Sequence, residues 1–466
     1  MRRLSLGVAL AMACLAGGAR AGRGAAPPTP PPASPAIALV GGALIDLDDF
    51  GRSTHDLADA VVVIVGDRVV AAGARGTVAI PTGARIVDAA GTWILPGLVD
   101  GFAGMNSQAQ ANAYLYLGVT SIVGVEDARR GHLDRSANPA PNVYPLMAIG
   151  YPEAADAPPL DDAGAIASLE RAAASGARVA LLMYPNPPAR IGLLVARARA
   201  LGVATIGELG RTSYEEAIAL GVQAFVHTSR YSLPLAPEPL RTAVAEQPFG
   251  PPKAQYYRYL VSLPPGDPRI TAWADRLGGS GVALLPTLAM EYLDLPGHAN
   301  PWLEPVARIL DPAGIHLPAE RATGERLGHP ESGPDAFPGG LSTTLLALER
   351  RYHAAGARYL AGSGTSAFGT MPGISLHHEL GLLVETGSTA RQALAAATRN
   401  FRAVFGWREI GCLEAGCRAD LVLVEADPTL DLANLKRIRS VWLAGQALDR
   451  ESLLAGAPAP PPRQRP

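Results

Sequence analysis

The chain has 466 residues, 48% of them hydrophobic and 18% charged. It exceeds the size at which a single core stops growing, so one large domain with a smaller companion is expected. Its formal net charge is -2, with 40 Lys+Arg spread among 42 Asp+Glu, which excludes the basic stripe of a nucleic-acid binder.

Arg2 and Arg3, an apolar stretch from Leu4 to Leu15 and the ending Ala19-Arg20-Ala21 have the pattern of a signal peptide over residues 1–21. An exported protein, periplasmic or secreted, is expected. Cys14 offers a lipoprotein alternative, although Ala11 stands where a larger aliphatic residue is preferred. No later apolar run reaches the roughly 20 residues that span a bilayer, so no transmembrane span is expected. Residues 22–36, rich in Pro and Ala, read as a linker.

Residues 37–92 are rich in Val, Ile and Gly, with strand-like runs at Ala60–Val65 and Arg68–Ala72. An apolar strand then ends in Leu95-Pro96-Gly97-Leu98-Val99-Asp100, and simple alternation points Asp100, Phe102 and Gly104 to one side. Further buried-strand runs follow at Ser121–Val125, Val143–Ala148, Val179–Met183, Ala204–Gly207, Ala224–His227, Ala283–Pro286 and Tyr359–Gly362, the first being Ile94–Val99. Helical patterns lie between them at Ile166–Ala174, Ile191–Leu201 and Tyr214–Leu220, the last opening on the capping-box spacing Ser213-Tyr214-Glu215-Glu216. Eight such strands predict an α/β protein with a (β/α)8 TIM-like barrel over residues 93–408, its chemistry at the strands' C-terminal ends. Two connections are long, His227 to Ala283 and Pro286 to Tyr359.

Within residues 409–449, Ala419–Glu425 and Val441–Leu443 repeat the β-rich character of residues 37–92. The two pieces are expected to join into a small β-sandwich domain built from both chain ends. Cys412 and Cys417 flank a tight turn at Gly416, a spacing that permits a disulfide clipping a hairpin and makes a poor zinc site. Residues 450–466, Pro-rich from Gly456, read as a disordered tail.

These strings together resemble the amidohydrolase superfamily, in its imidazolonepropionase-like and prolidase-like branch of metal-dependent hydrolases. The resemblance is carried by Leu95 to Asp100, Gly118-Val119-Thr120-Ser121, Gly221 to His227, Pro286-Thr287-Leu288, Ala396 to Asn400 and the turn from Gly411 to Leu421, and it runs from about Ile37 to about Leu448. It implies one or two divalent ions such as zinc. They would be held by two histidines after the first strand, a carboxylated Lys or a Glu on the fourth, histidines on the fifth and sixth, and an Asp on the eighth. The ion lowers the pKa of a bound water and the Asp accepts its proton.

Most of that set is replaced here. Phe102 and Gly104 stand where the first two histidines would be, Leu181 near the lysine position, Glu208 at the fifth-strand histidine and Ser366 at the terminal Asp; His227 is retained. A degenerate metal site with no metal cofactor is therefore expected.

The mouth of the barrel is left with Asp100, Glu126, Asp127, Glu208, His227 and Ser366. Glu208 and His227 read as an acid–base pair, the carboxylate fixing the imidazole tautomer, with Asp127 as a third catalytic candidate. The competing reading is a strand-end histidine that only ties loops together. His377-His378-Glu379 resembles a metal cluster on paper, yet neighbouring helical residues point about 100° apart, which favours a cap or core role. Arg230 and Tyr231 could meet an anionic ligand, an exposed loop arginine being the alternative. Ala254 to Tyr259 could line a pocket or pack the insertion onto the rim, and His298, His316 and His329 read as surface residues. Two functions follow. One is a hydrolase acting on non-peptide carbon–nitrogen bonds of a small molecule, the other a non-catalytic ligand- or partner-binding protein of the cell envelope.

Overall fold

The computed structural model describes residues 35–126, 133, 135, 138–152, 158–311, 319–327, 338–365, 367 and 369–455. In chain order the strands are β1 (Ile37–Leu44), β2 (Leu57–Val65), β3 (Arg68–Ala74), β4 (Arg85–Asp88), β5 (Trp93–Pro96), β6 (Leu98–Met105), β7 (Val119–Glu126), β8 (Asn142–Ile149), β9 (Val179–Met183), β10 (Ala204–Glu208), β11 (Ala224–Val226), β12 (Ala283–Leu285), β13 (Arg358–Tyr359), β14 (Leu421–Val424), β15 (Ile438–Leu443) and β16 (Gln446–Ala447).

Strands β6 to β13 form one sheet in sequence order, every ladder parallel. Beyond β13 the Gly101 amide donates to the Ala361 carbonyl and the Gly364 amide to the Phe102 carbonyl, each at 2.8 Å, which carries the curl back to β6. This is the expected TIM-like barrel. Its interior is apolar, with Val99, Val123, Leu181, Ile206, Val226 and Leu285 in one cluster and Phe401, Phe405 and Trp407 packed into the same cluster. Each such side chain contributes about 1.5–3 kcal/mol by leaving water.

The second sheet joins the two ends of the chain in the order β16-β15-β14-β5-β1-β2-β3, with β4 paired to β1. It folds around Ile37, Leu39, Val62, Ile64, Leu421 and Trp442.

Two expectations about the first barrel strand need correction. Ile94–Val99 is not one strand, because the backbone changes partners at Gly97. Trp93–Pro96 pairs antiparallel with β14, the Gly97 amide donates to the Asp420 carbonyl at 2.9 Å, and the Leu98 amide donates to Gly118 at 2.9 Å inside the barrel. Pro96, lacking an N–H, cannot continue a ladder on its own amide side. Nor do Asp100 and Phe102 share a face. The β6–β7 register shifts between Asp100 and Ala103, a bulge that lets Phe102 pack against the interior beside Val99 while Asp100 binds the Ser363 amide.

Helices cross over between strands. Ser213 and Glu216 form the anticipated capping box for Tyr214–Leu220, and Gly202 and Gly221 end their helices in the left-handed conformation at φ 69° and 81°. The long connection after β11 holds four α-helices, Thr228–Tyr231, Glu238–Glu246, Pro251–Ser262 and Pro268–Ser280. Cys412 and Cys417 are disulfide-bonded. The turn they close docks on β3, the Gly416 amide donating to Val69 at 2.9 Å, rather than joining two strands of a hairpin. Among the described residues no helix is long and apolar enough to cross a membrane.

Candidate active site

Alternation along β10 sends Ala204 and Ile206 into the barrel and carries Glu208 to the same side at the strand's C-terminal end. Glu208 is buried, and its Oε1 accepts a short hydrogen bond from the Tyr184 hydroxyl. Arg230 Nε stands 3.6 Å from the same oxygen. Burial raises the Tyr184 hydroxyl well above its ordinary range, so it remains a donor at neutral pH. The Arg230 guanidinium lies 4.9 Å over the Tyr184 ring and 5.7 Å over that of Phe249, and its Nη1 donates to the Pro248 carbonyl at 3.2 Å. The anticipated exposed loop arginine is thus a buried one, 8% exposed, because the insertion after β11 folds over it.

His227 leaves β11 with φ 65°, a left-handed conformation that a non-glycine residue adopts only when its surroundings impose it. Its amide donates to Leu285 at 3.0 Å and its carbonyl accepts from the amides of Arg230 and Tyr231. Thr287, at the end of β12, has φ 54°. The two bends bring His227 Nδ1 to 2.7 Å from Thr287 Oγ1, which itself lies 2.6 Å from the Pro286 carbonyl. The threonine hydroxyl has one hydrogen. Both contacts are made at once only when that hydrogen goes to Pro286 and Nδ1 donates, which leaves Nε2 as the basic nitrogen. Burial lowers the His227 pKa, Glu208 opposes that shift, and Arg230 and Lys253 add to it, so the ring is neutral at pH 7. The Phe102 ring packs against the imidazole at 5.2 Å, edge to face.

Glu208 and His227 thus face one mouth, but Thr287 and not Glu208 sets the tautomer. Asp127 and Ser366 lie outside the described residues, as does the Glu126 side chain. Asp100 is fully buried; Oδ1 accepts the Ser363 amide at 2.7 Å, Oδ2 has no hydrogen-bond partner among the described residues, and burial pushes its pKa up to about 7. His377 bonds the Leu117 carbonyl at 2.9 Å, His378 stacks on Tyr292 at 3.7 Å and Glu379 accepts the Ala289 amide, all structural tasks. His298 sits between the carbonyls of Leu295 and Gly324, while His316 and His329 are outside the described residues. Tyr231 is buried and donates to Glu349 at 2.5 Å. Tyr256 ties its helix to the Ser229 carbonyl, and Tyr257 lies beneath Lys253. The sequence pattern misses Tyr184, Thr287, Phe249 and Lys253 as neighbours of the site. Tyr184 alone carried a signal, its place directly after Met183 at a strand's end.

Residues 283–448 match the model of the amidohydrolase family. Over that stretch the chain is similar to the amidohydrolase family. A Bifidobacterium longum protein described as a prolidase shares the fold at TM-score 0.58 and 18% identity, over 91% of this chain and 99% of its own. Bottromycin amidohydrolase does so at TM-score 0.59 and 17% identity over 90% and 88%, and molinate hydrolase at 0.57 and 16% over 90% and 96%. No curated protein matches the chain.

The divalent ions implied by the superfamily resemblance need several converging donors. Among the described residues no group of three or more His, Cys, Asp or Glu side chains could hold a metal ion. Phe102 packs on the barrel interior, Leu181 is part of it, and Glu208 already accepts Tyr184 and faces Arg230.

Proposed function

We propose that this protein is a member of the amidohydrolase superfamily that hydrolyses a carbon–nitrogen or related non-peptide bond of a small molecule without the family's metal set. His227 Nε2 takes a proton from water as its oxygen bonds to the substrate carbonyl carbon, then returns it to the leaving nitrogen as the C–N bond breaks. Glu208, held by Tyr184 and Arg230, supplies the negative charge that favours the intermediate imidazolium. Asp127, the residue after Glu126 in sequence, is proposed as a third participant. The observation that carries the reading is the Nδ1–Thr287 contact, which leaves the other nitrogen of a neutral imidazole as the basic one, with Glu208 acting on the ring electrostatically. The names of the structural relatives, a prolidase, a molinate hydrolase and an amidohydrolase, are those of hydrolases and support the reaction class. We place the protein outside the cytoplasm, a location supported by the signal-peptide pattern and the Cys412–Cys417 bond.

Amide, lactam and lactone substrates, tested with and without chelator and alongside elemental analysis, decide the matter. Turnover that survives chelation and falls about 10²–10⁴-fold in His227→Ala is expected. Stoichiometric zinc, or rates that vanish with chelator, would overturn the metal-free mechanism. Small-molecule binding without turnover would make the protein a ligand-binding member of its superfamily.

A further inference from the structure

Two cations, Arg230 and Lys253, stand close to the candidate site, and among the described residues only Arg230 pairs with a carboxylate, Glu208. Arg230 is buried, yet among the described residues only Nη1 of its guanidinium makes a hydrogen bond, and its Nε stands too far from Glu208 to do so. Lys253, one of two lysines in the chain, is half-buried on the helix Pro251–Ser262. Its ammonium lies 5.5 Å from the Tyr257 ring centroid and has no hydrogen bond or ion pair among the described residues. Lys253 lies in the first turn of the helix that follows Pro248 and Phe249, both of which contact Arg230, and Tyr256 ties that helix to the Ser229 carbonyl, which keeps it beside Arg230. Burial of Glu291 keeps it from serving as a full counter-charge at neutral pH. A half-buried ammonium with no ion-pair partner among the described residues is available to meet an anionic group. Beside these cations stand uncovered aromatic surfaces, Phe249 at 70% exposure and Tyr151 at 44%, the latter within reach of Glu208 and Arg230.

We propose that the mouth takes a substrate carrying a carboxylate next to an aryl or similarly flat apolar group, the carboxylate meeting Arg230 and Lys253 and the flat group lying on Phe249 and Tyr151. This deepens the hydrolase reading and rests on the mouth being the reacting site. Lys253 is then a specificity residue: it binds the charged end, away from the bond that breaks.

Calorimetry on the full chain with hippurate and its neutral amide, hippuramide, tests the proposal. Hippurate is expected to bind about tenfold tighter than hippuramide, the worth of one charge-assisted contact. Lys253→Met should weaken hippurate by a similar factor and leave hippuramide unchanged, Lys253→Arg should preserve the preference, and added salt should erode it. Equal affinities for the two compounds, an unchanged hippurate affinity in Lys253→Met, or no hippurate binding at millimolar concentration would overturn it. Turnover lost in His227→Ala but blind to substrate charge would sink this inference alone; charge-selective binding without turnover would sink only the hydrolase reading.

Discussion

At the scale of single residues, the site depends on two side chains that never need to touch substrate. Thr287 offers an oxygen to His227 Nδ1, and Thr287→Val removes it. The imidazole is then free to exchange tautomers, and kcat should fall roughly tenfold, about one hydrogen bond's worth, with KM little changed; an unaltered kcat would show that Thr287 does not hold the ring. Tyr184→Phe strips Glu208 of its hydroxyl donor. Leaving a buried carboxylate short of a partner should cost roughly 1–3 kcal/mol in denaturant unfolding. Glu208 and His227 were legible in the sequence because each stands six residues after a helix-ending glycine, Gly202 and Gly221. Thr287 and Lys253 were not, since their placement depends on a left-handed bend and on a helical insertion, and neither leaves a periodic trace.

Among the elements, close approach of strands sets the tolerance. A Cβ on Gly97 would fall 2.1 Å from Thr120 Oγ1, all three of its nearest neighbours being atoms of that one side chain. Gly97→Ala should destabilise by about 1–3 kcal/mol, and adding Thr120→Ala should recover much of that loss. Gly124 makes the contrast, with φ 158° and a virtual Cβ 1.6 Å from the Ala103 carbonyl oxygen, so no side-chain truncation can relieve Gly124→Ala. Melting temperatures of Gly97→Ala, Thr120→Ala, their double variant and Gly124→Ala test the pair; failure of Thr120→Ala to rescue Gly97→Ala would remove the steric account. The eight barrel strands could be read from their apolar runs because strands buried on both faces carry no polar alternation. Their joints could not, since the partner change at Gly97 and the bulge after Asp100 answer to Asp420, Ser363 and Phe401, residues far away in sequence.

For the molecule as a whole, buried titrating groups give stability two opposite slopes. Burial pushes Asp100 and Glu349 up to about 7, so their favourable contribution is complete below about pH 4 and is lost as pH rises through 7. Burial pulls His377 down to about 4 and His378 to about 3; the unfolded chain takes up those protons first, and stability is lost as pH falls from about 6.5 toward 3. Glu349→Gln should therefore be least stable relative to the parent near pH 5 and gain on it toward pH 8; a gap that stays constant across that range would contradict the assignment. The composition announced a large core, but not which polar groups would be sealed within it. The pairing of β5 with β14 reaches further still. A ribosome releases Trp93–Pro96 early and Leu421–Val424 near the end, with almost the entire barrel in between. The strand next to the barrel's opening edge thus waits, unpartnered on that side, for nearly the whole chain, so the ring should lock only after synthesis is all but finished.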